Sequence, residues 1–225
     1  MDFTEVLARR HTTRRFSRRP VERELLLKIV EDAVRAPAWA DAQEYKAYIA
    51  TGDMARFLQS RYAEAAISGA GLSDYSFTNR EDWTEREMSA MKEFERKIGD
   101  YMGEDYDEFF AAQRRLFDAP AICFLTLPRD ASKWAKSDLG AFEMLFLLSA
   151  ANQGLDTIVA QAFVKYPEIV RKHMKIPETE ELIIGIGLGY GVREDKLNSF
   201  RAPKKPLGKL LTIKETGAPV KGEQW

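Results

Sequence analysis

The sequence predicts an α+β fold in which helices flank both sides of a central mixed sheet. Three observations carry this expectation. Apolar runs of strand length stand at 45–51, 118–128, 155–163 and 181–191. Segments with apolar residues at helical spacing separate them. The stretch "AFEMLFLLSAA", 141–151, is apolar nearly all round, which suits a helix deep inside the protein or at a subunit interface.

The elements follow in chain order. Residues 2–9 predict a short helix, with Phe3, Val6 and Leu7 at helical spacing. Pro20 disfavours helix at Arg19. A second helix covers about 22–35, its apolar face made by Leu25, Leu26, Ile29, Val30 and Ala33. "RAPAWADAQ" reads as loop, and "YKAYIAT" as a strand with Tyr45, Ala47 and Ile49 on one face. A third helix begins near Asp53. The glycine, serine, asparagine and aspartate of 68–84 mark a loop, and 85–117 is helical but highly charged, with Gly103 dividing it. "DAPAICFLTLP" is a strand closed by Pro128, and the helix of about 133–153 stops at Gly154, a residue suited to a left-handed cap. "LDTIVAQAF" is strand or extended loop, and Pro167 opens a short helix. "ELIIGIGLGYG" is a strand buried on both faces. One domain over 1–225 is expected, with a helical excursion at about 68–117 and a C-terminal arm at about 192–225.

Composition narrows the function. Lysine and arginine number 34 against 35 acids, so a nucleic-acid coat is not expected. The single cysteine, Cys123, excludes an internal disulfide and fits a reducing compartment. "MDFTEVLARR", with an acid at its second position and no apolar core, is not expected to be a signal peptide, and the most apolar helical stretch is too short for a bilayer. The expectation is a cytoplasmic protein that engages neither membrane nor nucleic acid. His11 and His173 with one cysteine do not make a zinc site, and no nucleophile elbow is present. The glycines of "GIGLGYG" lie within a strand and do not open a helix, so they read as sites of close packing by a helix.

One segment breaks the neutral pattern. "ARRHTTRRFSRRPV", 8–21, holds six arginines and a histidine. Guanidinium groups, hydroxyls and backbone N–H groups together form a kit for gripping a phosphate. The same residues also suit a solvated basic patch, and residue type alone does not choose.

Residues 10–16, "RHTTRRF", resemble the R-[RH]-[ST]-x-[RK]-x-F signature that opens the FMN-dependent nitroreductase family. Further blocks are similar in the same order: "RAPAWADAQEYKAYIATG", "DAPAICFLTLP", "DLGAFEMLFLLSAANQGLDTIVAQAF", "KIPETEELIIGIGLGYG" and "RAPKKPLGKLL". The match fails over about 60–110. The resemblance implies an intertwined homodimer with exchanged C-terminal tails and an FMN touched by both chains. It assigns Arg10, His11, Thr12 and Arg14 to the flavin and its phosphate, with Ala38, Trp39, Asp41 and Gln43 at the pocket wall. Ala160 and Gln161 fall near the flavin N5 region, and Arg201 or Lys204 at the phosphate. Three departures bear on the substrate: Asp41 replaces asparagine, Ala38 replaces serine, and Glu44 and Tyr45 replace Pro-Trp. An ionised Asp41 beside the flavin would lower its potential.

The implied reaction is a ping-pong hydride transfer from NAD(P)H to a small aromatic acceptor, a nitroarene or quinone. Flavin N5 carries the hydride and no catalytic side chain is needed. Tyr75, Phe77 and Trp83, with Met88 and Met91, either form a lid that selects the acceptor or pack the excursion's own core. Reductive dehalogenation, an ene- or dehydrogenase-type reaction, or oxygen-driven flavin breakdown on the same fold are the flavin alternatives. A phosphate- or nucleic-acid-binding module without redox chemistry is the alternative from another class.

Overall fold

The computed structural model describes residues 1–69, 71, 73–75 and 83–214. Helix α1 (Phe3–Arg9) starts at Asp2, whose carboxylate accepts from the Glu5 N–H while Glu5 reaches back to the Asp2 N–H. That reciprocal cap satisfies donors that a short helix otherwise leaves open. Helix α2 (Arg23–Ala33) follows, then strand β1 (Lys46–Thr51) and helix α3 (Gly52–Ser68). Helix α4 (Glu85–Met102) carries a second reciprocal cap between Thr84 and Glu87. Helix α5 (Tyr106–Arg114) leads to strand β2 (Ala121–Pro128). Helix α6 (Lys133–Asn152), strand β3 (Asp156–Ala160), helix α7 (Pro167–Met174), strand β4 (Glu180–Gly189) and helix α8 (Lys196–Ser199) complete the order.

The four strands form one sheet in the order β1-β2-β4-β3, and every pair is antiparallel. The expected mixed sheet is thereby corrected. The parallel component among the described residues is an isolated bridge between Thr12 and Thr157. Each chain reversal here is made by a helix or loop that returns the chain beside an oppositely running strand, so no crossover between parallel neighbours arises.

Strand alternation divides β2 between two cores. Ile122 and Phe124 face one, with Leu58 and Tyr62 of α3, Val170 of α7, and Ile98 and Met102 of α4. Cys123, Leu125 and Leu127 face the other, with Ile29 of α2 and Phe142 and Phe146 of α6. The apolar α6 is therefore core on one side, while Trp134 and Met144 remain exposed on the other. The C-terminal half of the expected excursion also belongs to the core, because Ile98, Met102, Leu116 and Phe117 are buried there.

Gly185 and Gly187 of β4 pack against one residue of a short helix. A Cβ on Gly187 would stand 2.7 Å from the Phe163 ring and 3.0 Å from Ala119, and one on Gly185 would overlap Phe163. Phe163 sits in the short 3-10 helix Gln161–Val164. The missing side chains let one fully buried phenyl ring lie directly on the sheet. Cys123 is buried, and burial pushes its thiol well above the usual range.

Candidate functional site

The basic segment emerges from α1 as extended chain and runs beside the edge strand β3. The Arg10 N–H closes α1 on the Val6 carbonyl at 3.0 Å. The Thr13 N–H then donates to Thr157 O at 2.9 Å, and Ser17 N–H to Tyr190 O at 2.7 Å. Residues 13–17 thus lie at the C-terminal end of β4, joined there by Val192 N–H donating to Arg15 O at 3.1 Å.

A second segment, 195–201, locks onto this turn from the far end of the chain. Asp195 caps α8 by accepting from the Leu197 N–H at 2.9 Å. Asn198 is 4% exposed and spends its whole amide on backbone. Its Oδ1 accepts from the Arg14 N–H at 2.6 Å and the Arg15 N–H at 2.9 Å. Its Nδ2 donates to Arg15 O at 2.7 Å and Val192 O at 2.8 Å.

The two neighbouring guanidinium groups have opposite environments. Arg15 reaches Glu108 of α5, Asp195 at 3.3 Å and Asp118 at 3.8 Å. Arg14 is 7% exposed and has no carboxylate partner among the described residues. Its guanidinium carbon lies 5.8 Å from the Phe109 ring centre and 5.6 Å from that of Phe200, and its Nη1 is buried with no hydrogen-bond acceptor. Burial, and then the positive charge of Arg201, push the Arg14 pKa down to about 10. A cation in that position calls for an anion.

The other predicted residues fall into separate places. Arg10 and Thr12 are half-buried on the same turn, and no acid pairs with Arg10 among the described residues. His11 Nδ1 lies 2.7 Å from Arg9 O and its Nε2 3.3 Å from Thr13 Oγ1. Arg201 donates to the Asn198 and Phe200 carbonyls. A cavity of about 420 Å³ beside the turn is lined by Arg9, His11, Thr13, Asp156, Asn198 and Arg201, among others. Lys204 is exposed and lies outside it. Ala160, opposite Gly185, ends β3, and Gln161 is exposed just beyond it.

Residues 38–43 gather at the opposite end of the sheet, before β1. The Trp39 N–H donates to the buried Asp138 of α6 at 3.0 Å, and its indole stacks on Trp134 at 6.5 Å between ring centres. Ala38 precedes this turn, and Gln43 donates to Asp41 at 3.3 Å. Ala40, Asp41 and Gln43 have φ of 50°, 55° and 44°, a left-handed course that non-glycine residues adopt at a cost. Tyr75 belongs to this end too, with Lys136 of α6 over its ring at 4.8 Å. Trp83 is half-buried ahead of α4, and Phe77 lies outside the described residues. Within one chain no hydrogen bond, ion pair or ring contact joins residues 38–43 to the basic turn among the described residues. Ten-residue β4 separates the two groups by a distance on the order of 30 Å.

Sequence reading missed Asn198, Asp195 and the rings of Phe109 and Phe200. The spacing of an aspartate cap and an asparagine three residues later in "DKLNSFR" is the one local signal, and it points to Asp195 and Asn198 alone.

The family model for "Nitroreductase family" matches residues 7–190. The chain belongs to the Nitroreductase family. A 4-nitrobenzoate reductase of Pseudomonas putida is 24% identical over 214 residues, covering 91% of this chain and 92% of the relative. A chloronitrobenzene nitroreductase of Comamonas testosteroni is 26% identical over 219 residues, covering 93% and 95%. Among solved structures, a variant of the FMN and NADPH-dependent nitroreductase NfnB from Sphigopyxis sp. strain HMH superposes with a TM-score of 0.87 at 25% identity, over 96% of this chain and 100% of that one. Among the described residues, no helix of this family member is long and apolar enough to cross a membrane.

Proposed function

We propose that this protein is an FMN-dependent oxidoreductase that reduces small nitroaromatic compounds at the expense of NAD(P)H. The observation that carries the reading is Arg14: a buried guanidinium with an unpaired Nη1, facing a second cation and no acid among the described residues. A dianionic phosphate or the electron-rich edge of a flavin supplies the missing charge. The names of the relatives point the same way, since they are nitrobenzoate and chloronitrobenzene reductases and an FMN- and NADPH-dependent nitroreductase.

Bound FMN would supply the redox chemistry, taking hydride from NAD(P)H and passing electrons in pairs to a nitro group. The chain's part is to bind, orient and insulate. Arg10, Arg14 and Arg201 neutralise the cofactor's charge, with Lys204 a further candidate on the same arm. Thr12 and the neighbouring backbone give direction. Phe109 and Phe200 keep water from the Arg14 guanidinium, which strengthens its pull on an anion.

The division of the predicted residues between two ends of the sheet fits a homodimer in which 38–43 of one chain approach the basic turn of the other. Phe3 and Leu7 of α1, Trp134 and Met144 of α6, and Leu207, Leu210, Leu211 and Ile213 of the arm are exposed apolar side chains that a second copy would cover. In that dimer Trp39, Asp41, Gln43 and Tyr75 line the acceptor side of the pocket, with Trp83 nearby, and Ala160 and Gln161 lie along its floor.

The test is a stopped-flow survey. The bound flavin is reduced and then mixed with nitroarenes, quinones, halophenols or oxygen. Fast reoxidation by nitroarenes supports the reading; reoxidation by oxygen or halophenols alone overturns it.

A further inference from the structure

We infer that Asn198 is a positioning residue for the cofactor: its carboxamide sets the direction in which Arg14 leaves the backbone. The inference rests on the flavin reading proposed above and adds a residue to it. Its basis is chemical and geometric. A carboxamide has two acceptor sites on Oδ1 and two donors on Nδ2, and here every one is used. Consecutive N–H groups of residues 14 and 15 converge on Oδ1, while Nδ2 holds the Arg15 and Val192 carbonyls. No other side chain of that length offers two acceptors and two donors in one plane. Aspartate accepts but does not donate, so it would face two carbonyl oxygens with a charge. Serine is shorter and carries a single donor.

The clip acts on the peptide units on either side of Arg15 and on the N–H of Arg14. It therefore restrains the backbone angles that fix the Arg14 Cα–Cβ direction. The same seven-residue segment completes the environment of that side chain. Asp195 caps α8 and pairs with Arg15, Phe200 walls the guanidinium, and Arg201 adds the second cation. Binding and orientation of the cofactor thus depend on a residue 184 positions away in sequence. Arg14 has no internal acceptor for its Nη1 that would hold it in place. Its aim comes from the backbone and from the two rings.

The experiment compares full-length wild type with Asn198→Asp and Asn198→Ser, stripped of flavin and titrated with FMN by fluorescence quenching. Amide exchange at residues 14 and 15 is followed by NMR in the apoprotein. The expected result is slow exchange of both amides in wild type. In Asn198→Asp the FMN dissociation constant rises by about tenfold or more, as for small misplacements of a binding group. In an Arg14→Met background the same substitution changes the constant less than about threefold, because the effect passes through Arg14. Asn198→Ser carries the test if the aspartate variant does not fold. Unchanged FMN affinity, an equal loss in the Arg14→Met background, or rapid exchange of both amides in wild type overturns the inference. Wild type that protects both amides but takes up no FMN refutes the flavin reading and leaves the clip intact.

Discussion

Replacing Arg14 by methionine removes a buried cation and keeps most of the side chain's volume. The fall of the Arg14 pKa from the ordinary guanidinium range to about 10 corresponds to roughly 3 kcal/mol of disfavoured charge in the folded apoprotein. Contacts with the Phe109 and Phe200 rings return roughly 0.5–1 kcal/mol each. Arg14→Met should therefore stabilise the apoprotein by about 1–2 kcal/mol, a rise in Tm of roughly 2–8 °C for a chain of this size. The sign with pH is also set. The folded pKa lies below the unfolded one, so the cost of the charge is present at neutral pH. It fades only as pH rises above about 10. Between pH 7 and 9 the gain from Arg14→Met should be flat. The assay is urea unfolding with and without saturating FMN. At one fixed FMN concentration, wild type should gain more stability than the variant, whose weakened site still takes up the flavin. A variant apoprotein less stable than wild type by 1–2 kcal/mol would refute the reasoning, because Arg14 would then be a structural partner and not a ligand in waiting.

The remaining predictions concern the scaffold and the dimer. Gly187→Ala should cost about 1–3 kcal/mol by pushing against Phe163 and Ala119, measured as a lower urea midpoint with unchanged slope. Glu180 is 5% exposed; burial pushes its pKa up, but Lys46, Thr126 and Tyr48 together hold it below the usual carboxylate range. Its folded pKa lies below the unfolded one, so this stability is present at neutral pH and is lost as pH falls below about 4.5. Glu180→Gln should flatten that acid limb in a thermal melt series; an unchanged limb would contradict the pairing. Leu210→Asp with Leu211→Asp should shift the protein toward monomer in analytical ultracentrifugation and weaken FMN binding together; a stable dimer with full affinity would contradict the arm's role.

Much of the fold was legible in the chain because its signals are local. The α2 residues Leu26, Ile29 and Ala33 are buried as their spacing predicts, whereas of the α1 set only Val6 is buried and Phe3 and Leu7 are exposed; Gly154 closes the loop after α6 with φ of 85°, and Pro167 opens α7. Strand direction was not legible, since antiparallel pairing in the order β1-β2-β4-β3 is set by partners far apart in sequence. The glycines of β4 announced a close approach, but nothing local names Phe163 as what approaches. At the site, the cluster of cations was visible from composition. The contrast between Arg14 and Arg15 was not. It depends on Glu108, Asp118 and Asp195, which fold back from three separate segments to satisfy one arginine and leave its neighbour unpaired. Beyond its spacing from Asp195, Asn198 carried no signal for the same reason, because an asparagine in "DKLNSFR" looks like loop until the turn it grips is in place.

The most direct measurement is the visible spectrum and flavin content of the purified protein, before and after incubation with FMN, for wild type and Arg14→Glu side by side. Wild type should be yellow or become so, holding one FMN per chain, while the charge-reversed variant stays colourless. A wild type that remains colourless in excess FMN, or a variant that holds as much flavin as wild type, would contradict the assignment of Arg14 to the cofactor.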